Sequence, residues 1–301
     1  MGALFEIEGD GIDKAIKLRL AKSLTSEKRF NFKERFDGIP KSVMSFNKSP
    51  ELMDLIDGDK SELNDVTKGK AKKRGGGYAK NMKYSTYNPD QAYFILDYYT
   101  KQDDLILDPF MGRGTRPLIT TLLKRAYVGY DTCEDTVNYN RELLDGKFPD
   151  NNQELILGDG TSIGHIKDRV IDAVFSCPPY YDKEVYSGGK GDLSHMDYDD
   201  FDERISNMFV RLSEVIKYSN YDNHKFYPVI FTVGTHRRGT SGVRDMEYIF
   251  NQHAFANGFV LHDKLITVNR SPGSAFTFRR NHELGFLTKS HETTLIYLLY
   301  K

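Results

Sequence analysis

The sequence predicts an α/β fold: a mostly parallel sheet with helices on both faces. Three observations carry this reading. From Tyr84 onward, short continuous apolar runs alternate with stretches of helical periodicity, the pattern of strands buried on both faces by the helices that connect them. The runs are of strand length, and none approaches the roughly 18 residues of a membrane helix. Three consecutive runs end in an acid, at Asp108, Asp131 and Asp159.

Taken in order, residues 90–99 predict a helix, since Ala92, Ile95, Leu96 and Tyr99 line one face. Residues 104–108 are a first strand, followed by a glycine turn and a helix over 115–125. Residues 127–131 form a second strand and 134–144 its helix, and strands follow at 154–159 and 171–176. The stretch 199–219 carries Phe201, Ile205, Met208, Phe209, Leu212, Val215 and Ile216 at helical spacing. A fifth strand spans 227–233, a helix 246–257, and two closing strands 259–268 and 293–300, making seven strands. Upstream, Ile12, Ala15, Ile16, Leu18, Leu20 and Leu24 recur at helical intervals, and 50–56 reads as a short helix with proline in its first turn. Residues 68–77 have no apolar periodicity and end in glycines, as a linker does. The division expected is a helical extension with a basic, glycine-rich linker over 1–83, and a main domain over 84–301.

At 301 residues, 39% hydrophobic and 28% charged, the chain has the composition of a globular protein. The first ten residues hold acids where a secretory leader needs a basic start. Two cysteines, Cys133 and Cys177, make neither a disulfide framework nor a four-thiolate zinc site. A reduced, cytoplasmic protein with no metal and no membrane partner is expected. The net charge of −1 announces no polyanion partner, so a nucleic-acid binder would have to segregate its charge. Basic residues do cluster between Lys68 and Lys83, Lys72, Lys73 and Arg74 among them, and acids between Asp192 and Glu203. Either run can equally be a solvated surface.

In open α/β sheets, ligands lie outside the carboxyl ends of the strands. Those ends carry Asp108-Pro-Phe-Met-Gly-Arg-Gly-Thr115, Asp131, Asp159 and Ser176-Cys-Pro-Pro-Tyr180. Gly112 and Gly114 permit close backbone approach and positive φ. A dinucleotide loop would want glycine at position 117, which is Pro117.

Asp108 to Thr115, followed by Ser176 to Tyr180, resembles the amino-group DNA methyltransferases that use S-adenosylmethionine. Ser85-Thr-Tyr-Asn-Pro89 is similar to the family's segment that closes over the methionine moiety. The resemblance covers about residues 84–301. It implies a Rossmann-like methyltransferase fold and a site-specific enzyme of the restriction–modification kind, acting on a base flipped from double-stranded DNA. It implies cofactor contacts from Thr86, Asp108, Pro109, Phe110, Gly112, Gly114, Thr115, Asp131 (ribose hydroxyls) and Asp159 (adenine amino group). It also implies catalysis by the loop Ser176, Cys177, Pro178, Pro179 and Tyr180. There the Pro178 carbonyl would accept from the target amine and Tyr180 would stack on the flipped base.

Cys177 departs from the family, occupying the place of the acceptor Asp, Asn or Ser, and a thiol accepts weakly. Three readings stay open at this point. An amine is methylated with the proline carbonyl as main acceptor, or Cys177 attacks a pyrimidine ring, or the scaffold performs another base modification. RNA methylation and a catalytically inactive DNA-binding relative are the rival functions. For the nucleic-acid side, Arg237 and Arg238 on one loop and Arg279 and Arg280 on another are candidates for phosphate or guanine contact. The residues from Asp182 to Gly189 are placed to close over the base. Oligomeric state is not legible.

Overall fold

The computed structural model describes residues 40–57, 87–151, 153–164, 166–181, 193–237, 242–268 and 281–301. In chain order these form β1 (Val43–Met44), α1 (Pro50–Asp57), α2 (Pro89–Tyr99), β2 (Leu105–Asp108), α3 (Thr115–Leu122), β3 (Ala126–Asp131), α4 (Glu134–Lys147), β4 (Glu154–Leu157) and β5 (Ala173–Ser176). After them come α5 (Tyr198–Val215), β6 (Val229–Val233), β7 (Thr235–His236), β8 (Arg244–Asp245), α6 (Met246–Ala256), β9 (Phe259–Val268) and β10 (His291–Leu299).

Eight strands join one sheet in the order β1-β9-β10-β6-β5-β2-β3-β4. The run from β6 to β4 is parallel throughout, and β10 lies antiparallel between β6 and β9. Strand order reverses between β2 and β5, so their carboxyl ends flank the switch point where ligands of such sheets bind. The mostly parallel α/β sheet read from the sequence is the fold observed. The count of seven is corrected to eight, because β1 adds in parallel to the outer edge of β9 with Val43 opposite Ile266.

Alternation along the strands loads both faces. Leu107, Val174 and Phe231 enter one buried cluster, while their neighbours Ile106, Phe175 and Ile230 enter the other. On the first face, α5 inserts Phe201, Ile205, Met208, Phe209 and Leu212. On the second, α2 and α3 supply Ile95, Leu96, Leu118 and Ile119, and α1 adds Leu52, Leu55 and Ile56.

Local chemistry sets the helix ends. Asn88 caps α2, its side chain accepting from the Asp90 and Gln91 amides at 3.0 and 3.3 Å, with Pro89 in the first turn. Asp197 caps α5. That helix stops at Val215 and does not run on to Ser219, because Ile216 turns extended and bridges Ile171. Likewise α3 ends at Leu122, since Lys124 adopts φ +59° and Arg125 turns back to donate to the Leu123 carbonyl at 2.6 Å. The loop after β6, expected to be free, contains the β7–β8 hairpin. The helical pattern over 12–24 and the basic run from 68 to 83 lie outside the described residues.

Candidate active site

At the switch point β2 and β5 are joined through side chains. The Asp108 carboxylate is wholly buried and accepts four hydrogen bonds. Ser176 Oγ donates to its Oδ1 at 2.5 Å, alongside the Phe110 amide at 3.2 Å. Arg116 Nε (2.7 Å) and the Tyr127 hydroxyl (2.9 Å) donate to Oδ2. Ser176 Oγ also accepts from the Phe110 amide at 3.1 Å, so the hydroxyl faces the β2 turn. Arg116 goes on to donate to the carbonyls of Phe110 and Met111. Burial is the largest influence on the Arg116 charge and opposes it, but Asp108, with smaller help from Cys177 and Tyr127, outweighs it and holds the guanidinium above its ordinary range. Burial, helped by Asp108, keeps the Tyr127 phenol neutral.

The turn that follows uses positive φ at Gly112 (+57°) and Gly114 (+75°), where any Cβ brings strain. The buried Asn140 of α4 clamps it from outside, accepting from the Gly114 amide and donating to the Gly112 carbonyl, both at 2.7 Å. Buried Thr115 donates to the Tyr87 carbonyl at 3.1 Å, tying the turn to the segment before α2. Half-buried Phe110 packs against the same core cluster as Tyr180. Asp131, at the end of β3, accepts from the Gly112 amide at 3.1 Å and the Cys133 amide at 2.8 Å. Burial still raises its carboxyl above the usual range.

Beyond β4, Asp159 accepts from the Thr161 amide (2.9 Å) and hydroxyl (2.6 Å) and pairs with Arg204 of α5 at 2.5 Å. A cleft of about 450 Å³ opens beside it, with Thr161 and Ser162 on one wall and Glu203, Arg204 and Asn207 on the other. Next to Asp159, Gly160 is seated so closely that a Cβ would fall 1.9 Å from the Pro109 carbonyl oxygen. A carboxylate with lone pairs to spare, a left-handed glycine turn and this close loop contact are chemically compatible with an adenosyl group.

After Ser176 the chain continues through Cys177, buried Pro178 and half-buried Pro179 to Tyr180. Burial pushes the Cys177 thiol up to about 12, Arg116 opposing it less strongly. The Tyr180 ring stands 5.1 Å from His236 and under Lys289, whose Nζ donates to the Tyr180 hydroxyl at 3.3 Å. Gly234 makes this approach possible: a Cβ there would lie 2.5 Å from Lys289 Nζ and 2.9 Å from the Tyr180 hydroxyl.

The structure therefore brings together Asp108, Pro109, Phe110, Gly112, Gly114, Thr115, Asp131 and the Ser176–Tyr180 loop, with Asp159 across the Gly160 contact. Arg237 places its guanidinium 4.4 Å over the Phe286 ring. Thr86, Lys72, Lys73, Arg74, Arg238, Arg279 and Arg280 lie outside the described residues, as do 182–189. Sequence reasoning missed Arg116, Asn140, Gly160 and Lys289. Of these only Gly160, a glycine directly after a strand-end acid, carried a local signal. Among the described residues, no group of three or more His, Cys, Asp or Glu could hold a metal ion, and no helix is long and apolar enough to cross a membrane.

The resemblance to amino-group DNA methyltransferases holds in comparison with known families. The DNA methylase family model matches residues 20–142, a span that includes the glycine turn and stops before the Ser176–Tyr180 loop. No curated protein matches the sequence. Among solved structures, TrmN from Thermus thermophilus is 12% identical with a TM-score of 0.46, covering 71% of this chain and 50% of its own. This chain thus spans about half the length of TrmN. An S-adenosylmethionine-dependent methyltransferase from Methanosarcina mazei is 11% identical, TM-score 0.46, over 68% of this chain and 97% of its own. A methyltransferase from Pyrococcus furiosus is 14% identical, TM-score 0.45, over 73% and 87%.

Proposed function

We propose that this chain transfers a methyl group from S-adenosylmethionine to the exocyclic amine of adenine or cytosine in DNA. The observation that carries this is the Ser176–Asp108 contact, which locks the Pro-Pro-Tyr strand end to the strand end bearing the glycine turn. A group held by that turn would sit at the strand end that leads into Pro178 and Tyr180. The family match supports DNA as the substrate.

When bound, the cofactor supplies an electrophilic methyl on a sulfonium. Gly112 and Gly114 would let the backbone pass beside its methionine part, Asp131 would accept from the ribose hydroxyls, Asp159 would accept from the adenine amino group, and Phe110 would pack on it. The chain's catalytic task is to correct a poor nucleophile, because an exocyclic amine delocalises its lone pair into the ring. The Pro178 carbonyl accepts one N–H and draws the nitrogen towards tetrahedral geometry. Two prolines fix the φ angles around that carbonyl, so its aim is set beforehand. Tyr180 presents the stacking face for the flipped base.

Cys177 fits an accepting or space-filling role better than a nucleophilic one. With its thiol near 12, the thiolate fraction at neutral pH is on the order of 10⁻⁵. Ser176 is a poorer substitute as acceptor, since it is fully buried and its hydroxyl already donates to Asp108 and accepts from the Phe110 amide. Cys177→Ser restores the better acceptor of the family and is expected to keep or raise methyl transfer. Abolished turnover in a folded, cofactor-binding Cys177→Ser protein would instead support attack by sulfur on a ring carbon.

A further inference from the structure

We propose that Leu287 is the side chain that enters the nucleic acid and fills the gap when the target base leaves its stack. The inference rests on the reading of this site as one that takes a flipped base. Residues 281–289 form a braced turn that reaches Tyr180 through Lys289. The Phe286 amide donates to the Asn281 carbonyl at 2.7 Å, and the Gly285 amide to the His282 carbonyl at 3.1 Å, with Gly285 at φ +70°. Asn281 Nδ2 donates to Thr288 Oγ1 at 3.1 Å, and Arg237 covers the Phe286 ring. Both neighbours of Leu287 are thus tied to the protein, while Leu287 itself is 97% exposed.

A single exposed leucine is ordinary on a protein surface. What sets this one apart is its position. Two residues on, Lys289 bonds the Tyr180 hydroxyl, so the leucine stands within about 7 Å of chain from a residue gripping the stacking tyrosine. Gly234 leaves room for that grip. Apolar side chains held this way enter between base steps and stabilise the unstacked geometry. Tyr180 would then receive the base while Leu287 occupies the space it vacates, with Lys289 linking the two in the chain.

The test uses the full chain and a short duplex carrying a site mapped from methylation by the wild-type protein. Methyl transfer is measured on the matched duplex and on one with the target base opposite an abasic site, where flipping costs least. Leu287→Ala is expected to lose about tenfold or more in kcat/KM on the matched duplex, and to return to within about threefold of wild type on the abasic one. The fluorescence rise of 2-aminopurine at the target position should fall in parallel on the matched duplex alone. An equal loss on both duplexes, or no loss on either, overturns the proposal and leaves the methyltransferase reading standing. A wild-type protein that methylates no DNA overturns both.

Discussion

On the β2 side of the switch point, one buried carboxylate gathers four donors, and its partners Arg116 and Ser176 bind further backbone in turn. On the β6 side, the contacts of Tyr180 include the His236 ring and the Lys289 ammonium, which also donates to its hydroxyl at 3.3 Å. The first arrangement tolerates no displacement, since moving any member leaves a buried polar group unpaired. The second holds a half-buried tyrosine through ring contacts and a solvent-edge cation, with no buried carboxylate at its centre. The contrast suits the proposed chemistry: the electrophile must be held rigidly, whereas the base arrives by rotating out of a stack.

Breaking the rigid side should have the largest effect. Asp108→Asn leaves the Arg116 guanidinium buried without its counter-charge, and loss of one partner of such a pair costs about 3–5 kcal/mol. Denaturant unfolding of the variant should show that loss, before any effect on activity is considered. A cost under about 1 kcal/mol, the scale of an exposed pair, would mean that the Asp108 hub does not hold the site together.

A smaller effect is expected one layer out, at Asp131. Removing its contact to a ribose hydroxyl should weaken cofactor binding by roughly 1.5–3 kcal/mol. Its titration sharpens the prediction. Burial raises the carboxyl in the free protein, so its contribution to stability is present at pH below the ordinary carboxylate range and is lost as pH rises through the raised value. Hydroxyl donors favour the charged form, so cofactor affinity should rise as pH increases from about 4 to about 7. Calorimetry on Asp131→Asn should find weaker binding with that pH dependence removed. Affinity unchanged by the substitution would dissociate Asp131 from the cofactor.

The smallest stability effect belongs to the other side. Tyr180→Ala is expected to cost about 1–3 kcal/mol in base stacking while leaving the unfolding midpoint and cofactor affinity nearly in place. If Tyr180→Ala unfolds the protein as Asp108→Asn does, the two sides are not held differently after all.

Much of this was legible in the chain. Strand-end acids, the glycine turn and Pro-Pro-Tyr are local in sequence, and the sheet places them together because each ends a parallel strand at the same edge. What escaped was non-local. Arg116, Tyr127 and Asn140 act through partners 8, 19 and 26 residues away, and nothing in their own neighbourhoods marks them. Strand β1 is two residues long and has no period to read; it exists because the outer edge of β9 offers unpaired backbone groups. The β7–β8 hairpin is as short. Lys289 lies 109 residues from the tyrosine it grips, and only the fold brings them together.

The central claim is that a methyl group reaches an exocyclic nitrogen of a DNA base through the Pro178–Tyr180 loop. DNA incubated with the protein and methyl-labelled S-adenosylmethionine, digested to nucleosides and analysed by mass spectrometry, tests it directly. Label is expected on N6-methyladenine or N4-methylcytosine. Label on a ring carbon, or label found in RNA and absent from DNA, would contradict it.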